Sequence, residues 1–325
     1  MKHSILTIVF TFFTLVIFAQ SGVPEDYLNA EFHKERRDGL RAKMADNSVA
    51  VFFANPVRNR ANDVDYVYHQ DPDFYYLTGY KEPHAVLVVF KEDQTNDTGD
   101  TFNEVIYVQE RNPRAEQWTG KRLGTEGAKK DLGFDIAYNG SEFEKSGIDF
   151  GRFNKVMFYN FNNDYRDSKG NNADLFSLVE TFKTQANYDD SLLEDPIKNR
   201  VYEMIKATEI ENSANVAQMI SQAFEYYPNL KEDKIIAGYV NATDDNTRIE
   251  LKQQVIKIEQ EEPKSNLDTN SLASIMASLR QVKTEEEMVL LTKAIRISAM
   301  GQREIMKAMH PGMSELEIQG INEYV

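Results

Sequence analysis

The sequence predicts an α/β fold built on a mixed β-sheet. Short apolar runs that suit buried strands recur through the first half of the 325-residue chain, and stretches with helical spacing lie between them. Two further helix-start patterns occur near the C-terminus. The content of 41% hydrophobic and 27% charged residues is that of a folded chain, and the length is enough for two domains of about 150 residues each.

The first residues have the pattern of a secretory signal peptide. Lys2 precedes an apolar run, residues 5–18, which fits the ~7–15 residues of such a segment and is shorter than the ~20 needed to span a bilayer. Ala19 supplies a small residue before a cleavage site. We therefore predict a signal peptide over residues 1–19, cleaved near Ala19, and a protein exported to the periplasm or secreted. An uncleaved membrane anchor and a buried core helix are the alternatives.

An N-terminal α/β domain is predicted over residues 26–190. Its first helix places Leu28, Phe32, Leu40 and Met44 on one face, and the charged residues between them, Arg37 included, are expected on the opposite face. Strands are predicted at 49–53, 74–77, 85–90, 104–108 and 155–159, with an exposed connection at 91–100. Further helices are predicted near 125–131 and 173–183.

The remainder of the chain divides into a middle part and a C-terminal part. Residues 191–270 either complete the N-terminal domain or form an inserted helical layer, with boundaries expected at Asp195-Pro196 and Glu262-Pro263. Residues 271–325 contain two capping boxes, Thr284 with Glu287 and Ser314 with Glu317, each followed by an apolar stripe at helical spacing. Two helices are therefore predicted, the second of which still presents an apolar face at Val325.

Several function classes are disfavoured by composition and motifs. The net charge of −15 argues against nucleic acid and anionic membrane surfaces as partners, and the absence of cysteine excludes disulfides, thiolate metal sites and a cysteine nucleophile. The five histidines show no metal-ligand spacing, and no glycine-rich phosphate loop or G-x-S-x-G motif occurs. From the residues alone, neither a catalytic residue nor a metal ligand is assigned.

One region is unusually dense in aromatic and charged residues. It covers residues 58–80, continuing into the next strand, and residues 111–124, and it includes the runs DYVYHQDPDFYYLTGYKEP at 65–83 and EQWTGKRLG at 116–124. Such a region could line a polar cleft with aromatic walls, or pack as a loop on the sheet edge. The Arg and Asp side chains of residues 58–73 are expected to fix loop conformation by hydrogen bonds rather than to bind a ligand.

These two runs, with a valine-rich strand after the first, resemble the N-terminal domain of Xaa-Pro aminopeptidases (aminopeptidase P). The runs LRQVKTEEE at 279–287 and MHPGMSE at 309–315 resemble the opening of that family's catalytic, pita-bread domain. The resemblance implies a creatinase/aminopeptidase P-type, ribonuclease H-like N-terminal domain, followed at 271–325 by the first helices of a truncated pita-bread domain.

The same resemblance implies a metallo-aminopeptidase that releases the N-terminal residue from peptides with proline in second position. In the complete family member two divalent ions, most often manganese, activate the attacking water, and the protein is a homo-oligomer. The family's ligands are two Asp, one His and two Glu of the later domain. Because none of them has a counterpart here, we expect this chain to bind no metal and to be inactive alone.

Trp118 is the one site residue that the resemblance transfers. Its family counterpart projects into the substrate pocket, where an aromatic face suits a proline ring. The alternative for Trp118 is a packing role at a surface between protomers. The alternative for the whole chain is a complete, non-catalytic secreted module that binds a peptide or a partner subunit.

Overall fold

The structure is a computed structural model, and it describes residues 28–96, 99–162, 165–168, 170–189, 195–259 and 265–325. The described residues fall into two units, a larger one of residues 33–279 and a smaller one that includes residues 280–325. The predicted signal peptide and the expected boundary at Glu262-Pro263 lie outside the described residues.

A mixed six-stranded sheet forms the centre of the larger unit. Its strands are β1 (Ser48–Phe53), β4 (Val86–Thr95), β5 (Thr101–Val108), β6 (Ala137–Asn139), β7 (Lys155–Met157) and β8 (Leu267–Asp268), arranged in the order β6-β5-β4-β1-β7-β8. The β1–β4 and β4–β5 pairs are antiparallel, and the β1–β7, β5–β6 and β7–β8 pairs are parallel. A separate small hairpin pairs β2 (Asn59–Ala61) with β3 (Val64–Asp65). The predicted mixed α/β class is therefore confirmed.

Helices surround this sheet. They are α1 (Ala30–Lys43), α2 (Pro72–Thr78), α3 (Pro113–Thr119), α4 (Gly124–Leu132), α5 (Leu175–Gln185) and α10 (Ser271–Gln281). Residues 48–52 of β1 and the first half of β4 are buried without a break, which is the pattern of central strands covered on both faces. Aromatic side chains fill one side of the sheet: Phe158 packs edge-on against Phe182, and Phe150 does the same.

The strand predicted at 74–77 is wrong, because these residues form α2. Asp71 caps the helix with a side chain that accepts hydrogen bonds from the Asp73 and Phe74 N–H groups, Pro72 occupies the first turn, and Gly79 ends the helix at a φ of 71°. A β-carbon at Gly79 would also collide with the ring of His33. A short apolar run fits a strand or a buried helix equally well, and here the caps decide. The connection predicted at 91–100 is also shorter, since β4 continues to Thr95 and β5 begins at Thr101.

Arg37 is completely buried, contrary to its expected place on the polar face of α1. Its guanidinium contacts the Glu104 carboxylate at 2.9 Å, donates a hydrogen bond to the Leu77 carbonyl at 2.8 Å, and stacks 4.1 Å from the ring centre of Phe134. Arg41 approaches the same carboxylate at 3.4 Å. This ionic cluster therefore ties α1 to β5 and to the end of α2.

A helical layer follows α5 before the chain returns to the sheet. It comprises α6 (Pro196–Ala207), α7 (Ser213–Ala223), α8 (Lys234–Asn241) and α9 (Asp245–Glu259). These helices share an apolar cluster of their own, which includes Ile205, Ile220, Ile236 and Val255. Residues 191–270 thus contain an inserted set of helices and also, through β8, a strand of the main sheet.

Asp268 holds β8 in place at the sheet edge. Its carboxylate pairs with Lys155 of β7 at 2.9 Å, accepts the Asn270 and Ser271 N–H groups at 2.9 Å, and accepts the Ser271 hydroxyl. Burial alone would raise the pKa of Asp268, but these hydrogen bonds outweigh burial and hold the pKa below its ordinary value.

The smaller unit contains two helices that contact each other, α11 (Glu285–Ala308) and α12 (Glu315–Tyr324). Both predicted capping boxes are present, with Thr284 and Ser314 each paired to a glutamate three residues later. Gly301 is buried against Asn322, where a β-carbon would collide with the amide. None of the described helices is long and apolar enough to cross a membrane.

Replacing Arg37 with methionine should lower the free energy of unfolding by about 3 kcal/mol, because Glu104 keeps only the longer contact with Arg41. Denaturant unfolding measures this, and the exposed neighbour substitution Lys34→Gln should change stability by less than about 0.5 kcal/mol. Removing both charges, Arg37→Met with Glu104→Leu, should restore much of the loss. A double variant as unstable as the sum of the single ones would contradict the proposed buried pair.

The variant Asp268→Asn should be about 1 kcal/mol less stable than the wild type at neutral pH, since the amide cannot pair with Lys155. A carboxyl whose folded pKa is depressed stabilises the fold above its unfolded pKa of about 3.9 and loses that contribution as the pH falls through the folded value. The difference between the two proteins should therefore hold from pH 7 to about pH 4 and shrink below it. A difference that grows on acidification would rule out this role.

Candidate functional site

A polar groove of about 790 Å³ lies in the larger unit. Five parts of the chain line it: Pro56, Val57, Asp65 and Tyr68 around the β2–β3 hairpin, the turn at 82–84 before β4, Gln109 after β5, residues 119–122 after α3, and residues 165–168, 171 and 175 at the approach to α5. Its charged and imidazole-bearing residues are Asp65, Glu82, His84, Lys121, Arg122, Arg166 and Asp167.

Glu82 connects two of these segments. One carboxylate oxygen accepts the Leu123 N–H at 2.6 Å, and the other accepts the Tyr80 hydroxyl at 3.0 Å. The Tyr80 oxygen in turn accepts the Gln109 N–H at 3.3 Å. Burial, followed by the nearby Glu82 charge, raises the pKa of Tyr80 well above its ordinary value, so the hydroxyl remains a donor. Glu82 therefore fixes the start of α4 against the strand that precedes α3.

Tyr68 and Gln70 fix the opposite side of the groove. The Gln70 side-chain oxygen accepts the Asn55 N–H at 3.0 Å and the Tyr68 hydroxyl at 3.0 Å, while its amide nitrogen donates to the Glu82 carbonyl at 2.8 Å. Burial, reinforced by the Asp71 charge, raises the pKa of Tyr68. Asp65 accepts from Asn59, and Asp71 caps α2. These contacts agree with the expectation that residues 58–73 use their polar side chains to fix the loop.

His84 enters the groove from a strained backbone position. Its φ of 58° lies in the left-handed region, which few residues with a β-carbon adopt. The Nδ1 atom accepts the Leu175 N–H at 3.0 Å, so the proton of the neutral ring lies on Nε2. Burial lowers the pKa of His84, and the positive charge of Arg122 adds to this, while Asp174 partly opposes both. The ring is therefore a neutral donor through Nε2 near pH 7.

Helix α3 presents Trp118 to solvent. The Asn112 side chain caps the helix by accepting the Arg114 and Ala115 N–H groups at 3.1 Å. Arg111 and Glu116 form a two-pronged ion pair with distances of 2.6 and 2.9 Å, and the hydrogen bond from Arg111 lowers the pKa of Glu116. Trp118 is 88% exposed on this short helix, which the Asn112 cap and the Arg111–Glu116 ion pair hold in place.

The comparisons with known proteins decide the nature of this region. Residues 33–150, which include Trp118, Glu82 and His84, match the family model described as "Aminopeptidase P, N-terminal domain". This stretch is therefore similar to the N-terminal domain of aminopeptidase P. The resemblance seen in the sequence is therefore confirmed.

Two curated relatives show how much of the chain is shared. A Xaa-Pro aminopeptidase from Escherichia coli is 42% identical over 115 residues, which is 35% of this chain and 25% of the relative. The intermediate cleaving peptidase 55 of Schizosaccharomyces pombe is 34% identical over 146 residues, or 45% of this chain and 29% of the relative. The aligned part thus spans less than a third of either relative.

Solved structures share the fold over a longer stretch. Aminopeptidase P from E. coli with the inhibitor Pro-Leu superposes with a TM-score of 0.54 at 23% identity, and proline aminopeptidase P II from Yersinia pestis with 0.55 at 21%. In both cases the match covers 91% of this chain and 49% of the other. The chain therefore spans about half the length of these structures.

The structure brings together some residues that the sequence did not single out. Glu82, His84 and Arg122, all within the stretch that matches the family model, line the groove together. The Trp118 side chain does not line the groove, although Thr119 to Arg122 directly after it do. Its predicted role in a substrate pocket stays a prediction. In the part of the chain that the structure describes, no group of three or more His, Asp or Glu residues is placed to hold a metal ion.

The substitution Glu82→Gln should lower the free energy of unfolding by about 1–3 kcal/mol, because an amide keeps one acceptor atom for two donors. Thermal or denaturant unfolding measures the loss. The exposed Glu110→Gln nearby is the matched control and should stay within about 0.5 kcal/mol of the wild type. Equal stability of the two variants would show that Glu82 does not fasten the groove.

Proposed function

We propose that this chain contributes the N-terminal domain of a Xaa-Pro aminopeptidase, an enzyme that releases the N-terminal residue from peptides with proline in second position. The observation that carries the proposal is Trp118, an 88% exposed indole inside the matched domain. The family match and the curated Xaa-Pro aminopeptidase relatives support the choice of substrate.

The local geometry suits a wall for a proline ring. Removing a large exposed aromatic surface from water is favourable. A proline ring is an apolar partner that loses little conformational freedom when it packs on such a surface. The asparagine cap and the Arg111–Glu116 ion pair hold α3, so little ordering of the backbone is needed on binding. The role of Trp118 is to bind and orient the peptide.

Hydrolysis in this family involves two divalent metal ions, and the described residues do not fit such a centre. A two-metal site needs several carboxylate and imidazole ligands around one point, and the described ranges offer no group of three or more. We therefore assign to these residues peptide binding and orientation, and no step of the hydrolysis.

Trp118 is the single tryptophan of the chain, so its fluorescence reports the proposed site directly. Titration with Ala-Pro-Ala should shift the emission to shorter wavelength and protect the indole from acrylamide quenching. Ala-Ala-Ala should bind about 2–10-fold more weakly, since a ring packed on an aromatic face adds about 0.5–1.5 kcal/mol.

Trp118→Ala has no tryptophan fluorescence, so its peptide binding needs a second measurement. Saturation-transfer NMR on the proline ring protons should show contact with the wild type and a clearly weaker signal in Trp118→Ala. The matched control is Tyr66→Ala, which removes another exposed aromatic side chain and should keep the signal. Equal binding of the two peptides, or equal loss in both variants, would refute the proposed role of Trp118.

A further inference from the structure

The groove gathers cations in a protein that is otherwise strongly acidic. The chain carries a net charge of −15, yet Lys121, Arg122 and Arg166 all line this one groove. No described acidic side chain forms an ion pair with any of the three. Although Asp65, Glu82 and Asp167 also line the groove, the three cations are not neutralised by direct ion pairs, so an anionic group bound beside them would be attracted.

Arg122 has spare hydrogen-bonding capacity. Its Nη1 atom donates to the Glu110 carbonyl at 3.1 Å, which fixes the direction of the guanidinium. Its Nε atom is covered by the protein and has no acceptor among the described residues, so a ligand in the groove would meet the outer part of the guanidinium. A carboxylate is the natural partner for a guanidinium held in this way, since the two planar groups match each other's geometry.

His84 contributes a neutral donor to the same groove. The Leu175 N–H occupies Nδ1, which leaves the Nε2 proton to face another acceptor, and within the described ranges no residue accepts it. The hydrogen bond from the Leu175 N–H holds the ring in place. Together with Arg122, it offers donors of two kinds to one anionic group.

The carboxylates of the groove restrict the kind of anion. Both oxygens of Glu82 are engaged by Leu123 and Tyr80, and Asp65 accepts from Asn59. Asp65 and Asp167 nevertheless place negative charge on the wall, which disfavours a doubly charged phosphate more than a singly charged carboxylate. A ligand with an ammonium group at its other end would find acidic partners there.

Size and apolar lining indicate a peptide rather than a bare ion. A volume of about 790 Å³ is that of a site for a small organic molecule. Pro56, Val57, Pro83 and Leu175 supply apolar walls beside the charged groups. Side chains of a short peptide would be partly removed from water against these walls.

We propose that this groove binds a short peptide by its C-terminal carboxylate, held by Arg122, Lys121 and the Nε2–H of His84. The choice of a peptide as ligand rests on the proposed function, whereas the choice of a carboxylate rests on the groove alone. The site is distinct from Trp118, whose side chain lies outside the groove lining.

The test is calorimetric titration of the full chain at low salt with Ala-Ala-Ala and with its C-terminal amide. The acid should bind about tenfold more tightly than the amide, as expected for a charge-assisted hydrogen bond. Arg122→Gln should reduce this preference about tenfold, and Lys121→Gln about threefold. The matched control is Arg114→Gln, which removes an exposed cation of α3 outside the groove. This variant should change the preference for the acid by less than twofold.

Several results would overturn the proposal. They are equal binding of acid and amide, equal behaviour of Lys121→Gln and Arg114→Gln, and inorganic phosphate binding as tightly as the acid with the same losses, which would show a general anion site. Lys121 is exposed, so its variant keeps the test valid even if Arg122→Gln unfolds. Neither peptide contains proline, so this test does not depend on the proline preference assigned to Trp118. Trp118→Ala should keep the preference for the acid over the amide. A failure of the carboxylate proposal can therefore be told apart from a failure of the proposed function.

Discussion

The buried contact between Arg37 and Glu104 positions most of what surrounds the groove. Arg37 bonds the Leu77 carbonyl at the end of α2, three residues before Tyr80, and its Glu104 partner lies on β5, five residues before Gln109. The hydrogen bond from the Gln109 N–H to the Tyr80 oxygen links the segment after β5 directly to the segment after α2. A charged pair taken out of water is stabilising only with good geometry and further hydrogen bonds. Here the Arg37 Nη1 atom bonds the Leu77 carbonyl, and Glu104 contacts both Arg37 and Arg41, so the pair links α1, the end of α2 and β5.

Short connections along the chain lead from α2 and β5 to the groove. Residues 80–84 continue from α2 and carry the Glu82 carboxylate and the His84 ring, while β5 leads to Arg111 and so to α3 and Trp118. Glu82 then joins the two branches through Leu123. The exposed indole and the polar groove thus share one rigid support, although their side chains do not form one cavity.

The sequence predicted those features whose causes are local. Both capping boxes and their helices were found because a cap involves residues three apart, and the central strands because continuous apolar runs of β-branched residues favour buried strands. The run 74–77 was misassigned because its apolar pattern does not distinguish helix from strand. Arg37 was placed on the polar face by its charge, yet it lies four residues after His33 and three before Leu40, on the buried stripe of α1. The pairing that permits its burial comes from a strand far along the chain and is invisible to periodicity.

The same distinction between local and long-range causes applies to the candidate site. Trp118 could be proposed from the sequence because a motif of nine residues carries it, and its exposure depends only on a short helix and its cap. The groove could not be proposed from the sequence, because it joins five separate parts of the chain and because nothing in the run Pro83-His84-Ala85 indicates the left-handed φ of His84. One of those parts, residues 165–168, 171 and 175, lies beyond the stretch matched by the family model. The family description therefore covers the indole completely but only part of the groove, and the ligand preference of the groove has to be argued from the charges and hydrogen bonds of this chain itself.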